Sequence, residues 1–353
     1  MKEIRIGIIG TGNLAAHHAK NYNAIPGVAL AACCDLNRER AEEFAKTHNV
    51  EKVYDTFEEL VKDPSLDAVS VVTWNNAHCA ATIAALEAGL HVLCEKPMAM
   101  NAEEGKRMQA AAEKSGKLLM IGFVRRFGIN ADIAKSYVES GALGNIYYAK
   151  TRCIRRCGNP LGWFADKARS GGGPLIDLGV HMIDLARYLM GKPCAVSAYG
   201  VTNNSIGPQE NIKFHSRYTS KDPLKDSTVE DFASALVRFD NGAALQVEVS
   251  FNAHIEKDEL SLELLGDKGG MTIEPELQLH TVQNDILSNV TPVYSVPKDA
   301  FSSFFAKEIQ HFVACVRGEE TVCRNPAEDG VELMKILDAI YKSAETGSEV
   351  KID

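Results

Sequence analysis

The sequence predicts an α/β protein in two parts: an N-terminal doubly wound parallel sheet over residues 1–123, then a C-terminal α/β domain over 124–353 whose large, open sheet is mostly antiparallel. Three observations lead there. Up to about residue 122, short apolar runs alternate with single helical stretches, as in βαβ crossovers whose strands are covered on both faces. From Gly122 onward the strand-like runs lengthen and meet at hairpin signals such as Asp240-Asn241-Gly242. The length, 353 residues with 45% hydrophobic and 24% charged, suits about two globular domains.

Composition excludes several function classes. A formal net charge of −9 argues against a general electrostatic role on nucleic acid or on acidic membranes. No stretch reaches the roughly 18 apolar residues of a membrane span. Met1-Lys2-Glu3 leads directly into the first strand with no apolar leader, so a cytoplasmic location is expected. The nine cysteines form no Cys-x-x-Cys pair, and Cys33, Cys79, Cys94 and Cys315 lie in apolar contexts, which reads as reduced core thiols. Cys153 and Cys157 find no second pair to complete a tetrahedral set, so no metal is expected.

The first element organises the rest. Residues 4–9 read as a buried strand, followed by Gly10-Thr11-Gly12-Asn13-Leu14-Ala15 and a helix. Gly10, Gly12 and Ala15 fit the dinucleotide fingerprint Gly-x-Gly-x-x-Gly/Ala: a tight turn, a backbone that pyrophosphate can approach, and a small residue where helix meets strand. Asn13 and Leu14 open the helix, whose free N–H groups and positive end would face the phosphates. The next strand, 28–34, ends in Asp35 at about the twenty-residue offset of an acid that binds the ribose diol. Together these predict a Rossmann domain holding NAD. Asp35 should repel the 2′-phosphate of NADP, a preference softened by nearby Arg38.

The chain continues with a helix over 38–48, a short helix over 57–62, a strand over 66–72 closing at Thr73-Trp74-Asn75-Asn76, and a helix over 77–88. A strand over 91–94, a helix over 102–115 and a strand over 118–121 complete the parallel sheet. Ligands of such sheets lie outside the carboxyl ends of the strands, which gathers Gly10, Asp35, Thr73, Glu95, Lys96 and Arg125 along one edge. There Lys96 would donate a hydrogen bond to a substrate hydroxyl, favouring the alkoxide that develops as hydride leaves. A cis bond at Pro97 would hold that lysine in place.

In the second part a helix over 129–140 precedes strands over 145–153, 195–202, 233–239, 243–251 and 260–265. The polar stretch 203–227 reads as a mobile or interface loop, and two helices over 302–316 and 327–344 close the chain. Residues 175–190 are almost wholly apolar except for Asp177, His181, Asp184 and Tyr188, which share one helical stripe. Gly171-Gly172-Gly173, just before, lets a ligand or another backbone come close. Asp177, one turn before His181, would orient the imidazole and raise its basicity, as a general base near neutral pH requires.

These residues resemble the Gfo/Idh/MocA family, named for glucose-fructose oxidoreductase, inositol dehydrogenase and a rhizopine catabolism protein. The resemblance rests on Gly10-Thr11-Gly12, Asp35, Glu95-Lys96-Pro97, Arg125-Arg126-Phe127, Gly162-Trp163-Phe164 and Gly171-Gly172-Gly173 through Asp177, His181 and Asp184 to Gly191. Gly266-Asp267-Lys268-Gly269-Gly270 and Asn325-Pro326-Ala327-Glu328-Asp329-Gly330 extend it nearly end to end. It implies a catalytic set of Lys96, Asp177 and His181, with Arg125 and Trp163 near nicotinamide or substrate, and with Thr73, Asn75, His78 and Glu95 bordering the cofactor. Trp74 departs from the proline usual after that threonine and would either stack on the cofactor or simply pack. The resemblance also implies a homo-oligomer, dimer or tetramer, built through the C-terminal sheet.

The activity this implies is NAD-dependent oxidation of a secondary hydroxyl of a sugar, inositol or related polyol, or the reverse reduction of a keto-sugar. Two other classes share the motifs: enzymes that cleave glycosides or eliminate through transient oxidation by a retained nucleotide, and non-catalytic sensors of nucleotide and sugar. An intact Lys96, Asp177 and His181 set argues against the sensor, which has no use for a positioned base.

Overall fold

The computed structural model describes residues 3–220, 226–295 and 299–353, with backbone alone at 300 and 301. They form two compact units, Met1–Phe127 with Pro297–Val331, and Gly128–Val296 with Glu332–Asp353.

In the first unit the apolar runs become β1 (Ile4–Ile9), β2 (Val28–Cys34), β3 (Lys52–Tyr54), β4 (Ala68–Val71), β5 (His91–Glu95) and β6 (Leu119–Gly122). All pair in parallel, in the order β3-β2-β1-β4-β5-β6. The order reverses between β1 and β4, the switch point at which such sheets open a crevice beyond their carboxyl ends. Two crossover helices are capped by side chains: Asn37 accepts Arg40 N at the head of Arg38–His48, and Asn101 accepts Glu104 N at the head of Ala102–Ser115.

The cut expected at residue 123 leaves everything downstream in the second part, yet the helix Ala300–Arg317 packs Ile309, Phe312 and Val313 into one core with Ile6, Ile8, Leu30 and Met120. The stretch after it is tied to the same sheet edge. Asn325 and Ile121 exchange backbone and side-chain hydrogen bonds at 3.0 Å, and buried Arg126 reaches Asp329 at 2.7 Å.

The second unit is built on β7 (Ile146–Ile154), β8 (Ala195–Asn203), β9 (Phe232–Phe239), β10 (Ala244–Ser250), β11 (Glu259–Gly266), β12 (Gly270–Glu274), β13 (Gln278–Gln283), β14 (Ile286–Val290) and β15 (Val350–Lys351). They run β14-β13-β12-β11-β7-β10-β9-β8-β15, antiparallel throughout except where β7 meets β10. Asp240-Asn241-Gly242 is the hairpin between β9 and β10, as its composition requires. The helix Val180–Leu189 lies against β7, β10 and β11 and covers one face. On the outward positions Tyr199 of β8 stands opposite Leu236 of β9, 48% and 41% exposed.

Between Asn203 and residue 220 the described chain has neither strand nor helix, and residues 221–225 of the anticipated loop lie outside the described residues. Among the described residues no helix is long and apolar enough to cross a membrane.

Candidate active site

At the carboxyl edge of the first unit the backbone is shaped by Gly10. Its φ is +90°, and an added Cβ would stand 2.6 Å from the Val72 carbonyl oxygen, so only glycine fits. Gly12 is different. It caps the helix Asn13–Asn23 with extended φ and ψ, no side chain caps that helix, and nothing lies within 4 Å of where its Cβ would be. An open approach to a bare helix N-terminus is the cradle a diphosphate needs, so the residues fit a dinucleotide. Asn13 beside it is exposed, Leu14 half-buried, and Ala15 fully buried where helix meets sheet.

Asp35 follows β2 and sits against the same turn. Thr11 donates to its Oδ2 from both N (2.8 Å) and Oγ1 (2.9 Å), Asn37 N donates to Oδ1 (2.9 Å), and Arg40 reaches Oδ1 at 2.6 Å and Oδ2 at 3.3 Å. Burial works to raise this carboxyl, but Arg40 and the backbone donors outweigh it and hold Asp35 below the ordinary carboxylate range. The cation next to Asp35 is therefore Arg40, not the expected Arg38, which turns to Glu42 (2.7 Å) and Asp55 (2.9 Å). Both arginines lie in the first turn or two of one helix, and helix rotation alone decides which reaches back.

The loops after β4 and β5 are joined by His78. Its Nδ1 lies 2.8 Å from the Pro97 carbonyl and its Nε2 3.3 Å from that of Thr73. Burial pushes the ring toward its neutral form, which has one N–H for the two carbonyls. The Lys96–Pro97 bond is cis. Thr73, Trp74, Lys96 and Arg125 are half-buried at this edge and Asn75 is buried. Glu95 points inward: Oε1 lies 2.8 Å from His18 Nε2, and Oε2 accepts Lys96 N at 3.2 Å. Behind it, His18 meets Ser70 at 3.2 Å and Ser70 meets Tyr22 at 2.8 Å. That buried chain joins residues 18, 22, 70 and 95, and no local pattern announces it.

The second unit carries the other candidates. A π-turn, Leu175–Gly179, leads into the helix Val180–Leu189. Of residues 175–190 only Asp177, His181 and Tyr188 are less than buried, so the wet stripe foreseen from spacing exists, with Asp184 below the surface. The glycines before it serve the chain itself: a Cβ on Gly172 would strike the Tyr341 hydroxyl and one on Gly173 the Glu230 carbonyl oxygen. At Gly173 another backbone comes close, and at Gly172 a side chain. Trp163, in the turn Gly162–Ala165, is half-buried and stacks on Phe164 at 3.9 Å between ring centres.

Residues 4–123 match the family model described as "Oxidoreductase family, NAD-binding Rossmann fold", and residues 135–352 match its companion, "Oxidoreductase family, C-terminal alpha/beta domain". The chain is 34% identical over 353 residues to D-glucoside 3-dehydrogenase of Escherichia coli strain K12, covering 99% of this chain and 97% of that one. It is 30% identical to scyllo-inositol 2-dehydrogenase (NAD(+)) of Bacillus subtilis strain 168, covering 99% and 97%. A solved structure of levoglucosan dehydrogenase in complex with NADH and levoglucosan superposes with a TM-score of 0.84 at 27% identity, each chain covered in full. With both domains matched in order around a glycine turn, an acid after β2 and an NAD-binding fold, the chain belongs to the Gfo/Idh/MocA family of oxidoreductases and is an NAD-dependent enzyme.

Proposed function

We propose that this enzyme oxidises a secondary hydroxyl of a sugar, inositol or related polyol, with Lys96, Asp177 and His181 as its reacting set. The observation that carries the reading is the stripe on residues 175–190, where an otherwise buried helix leaves a carboxylate and an imidazole one turn apart in partial contact with solvent.

His181 takes the hydroxyl proton, Asp177 holds the imidazole in the right orientation, and Lys96 donates to the same oxygen as negative charge grows on it. Bound NAD supplies the acceptor for the hydride that leaves the carbon, so the products are a ketone, a reduced nicotinamide and one proton. Arg125 and Trp163 border the substrate. The names of the relatives, which act on glucosides, inositol and levoglucosan, support a cyclic polyol as the substrate class.

The test is a panel of methyl glucosides, levoglucosan and inositols assayed for nicotinamide reduction, with glycoside cleavage followed in parallel. A cyclic polyol should give stoichiometric reduced nicotinamide, and His181→Ala should lower kcat by about 10²–10⁴. Full turnover by that variant refutes the assignment of the base, and glycoside cleavage without net nicotinamide reduction refutes the dehydrogenase.

A further inference from the structure

Three donors converge on one carboxylate at the head of the Asp177 and His181 helix. Glu230 Oε2 accepts Gly173 N at 2.9 Å, and Oε1 accepts Leu175 N at 3.2 Å and the Tyr341 hydroxyl at 2.9 Å. Although the residue keeps some exposure, its carboxyl is crowded enough that burial pushes it above the ordinary carboxylate range, against the pull of those donors. Pro174, at the cap position of the π-turn, offers no side-chain cap, so the free N–H groups of this helix end are met from a segment more than fifty residues later. Gly172 and Gly173 lie so close to Tyr341 and Glu230 that any side chain on them would collide, which fixes the turn in register.

We infer that Glu230, held by Tyr341, is a positioning residue that sets where Asp177 and His181 stand. The inference rests on the reading of those two as reacting groups. Its physical basis is the π-turn. Such a turn carries one residue more than an α-turn, and if its head is released it can relax by one residue, which swings Asp177 about 100° around the helix axis relative to His181. A group that only accepts is required, because every atom aimed at Glu230 from these partners is a donor. Glutamine cannot replace it: one end of the amide must face either Gly173 N–H or Leu175 N–H with a second donor. Tyr341→Phe leaves both backbone bonds in place and is the milder change.

The experiment combines kinetics with the His181 ring signals of protein labelled at histidine, assigned by their loss in His181→Ala. Kinetics use NAD with methyl β-D-glucoside, levoglucosan or myo-inositol, whichever turns over. Glu230→Gln should lower kcat by about tenfold or more with KM within about threefold, while NADH affinity stays unchanged, and should move the His181 ring signals. In a His181→Ala background the same substitution should cost nothing further, since it acts through a group already gone. Tyr341→Phe should lower kcat about threefold and move the same signals less, and it carries the test if Glu230→Gln does not fold. Unmoved ring signals, or an equal loss in both backgrounds, overturn the inference. Moved signals together with full turnover by His181→Ala would strike the base assignment and leave the positioning role standing.

Discussion

Five donor contacts meet the two oxygens of Asp35, and a ribose diol that binds there must displace one of them. Thr11 N and Asn37 N are fixed by the chain, so the partners able to leave are the Thr11 hydroxyl and Arg40, which swings on a long side chain from the next helix. Asp35→Ser would leave Arg40 as an uncompensated cation where a 2′-phosphate would stand. The ratio of NADH to NADPH affinity, read by fluorescence titration, should fall by about tenfold or more. Because the Asp35 carboxyl is held below its ordinary 3.8, it stays ionised well into acid. NADH affinity that depends on it should be flat from about pH 7 to about pH 5 and drop only below about pH 4. At this scale the sequence shows the glycines, the acid after β2 and the stripe, since each rests on spacing along one strand or helix. It hides Arg40, Glu230, Tyr341 and His18, which act through partners far along the chain or on a helix face that spacing alone does not orient.

The strand, turn and helix at the start of the chain show how two similar glycines do different work. Gly10 is required by the fold, with φ at +90° and the Val72 carbonyl in the way. Gly12 has ordinary extended dihedrals and open space, so the unliganded protein has no need of it. Gly10→Ala should therefore lower both Tm and NADH affinity, the strain amounting to about 1–2 kcal/mol before the clash is added. Gly12→Ala should leave Tm within about 2 °C and still weaken NADH about tenfold, because its methyl would stand where the diphosphate approaches. Equal melting losses in the two variants would contradict this division. Elements with long apolar runs, such as β1, β2 and β10, are legible from composition. The short β3, the three strands after Gly266 and β15 are not, because a few polar and apolar residues become a strand only when a neighbour supplies the ladder. The parallel pairing of β7 with β10 is likewise set by the assembled sheet and by nothing local.

At the scale of the whole chain, the nine-stranded sheet leaves a cluster of apolar side chains in solvent near its β8 edge. Tyr199 and Val201 of β8 and Leu236 of the adjacent β9 are exposed together on its outward side. A second copy of the chain is the occupant the reading calls for, and light scattering should report a dimer or tetramer. Tyr199→Glu combined with Leu236→Glu should shift it to monomer at micromolar concentration with NADH affinity retained. A monomeric parent protein would contradict the role given to this face. Domain organisation was legible only as far as the first crossing: the return of the helix Ala300–Arg317 to the first sheet follows from packing, and an amphipathic pattern does not say which sheet its apolar face will meet.

The proposed reaction needs Lys96 and His181 to serve one oxidisable carbon. A crystal structure of the enzyme with NADH and the polyol it turns over tests this directly. Lys96 Nζ and a His181 ring nitrogen should each stand about 2.6–3.2 Å from the same hydroxyl oxygen, with its carbon against the nicotinamide ring. A bound polyol whose reacting hydroxyl meets neither side chain, or meets one while the other points to solvent, would contradict it.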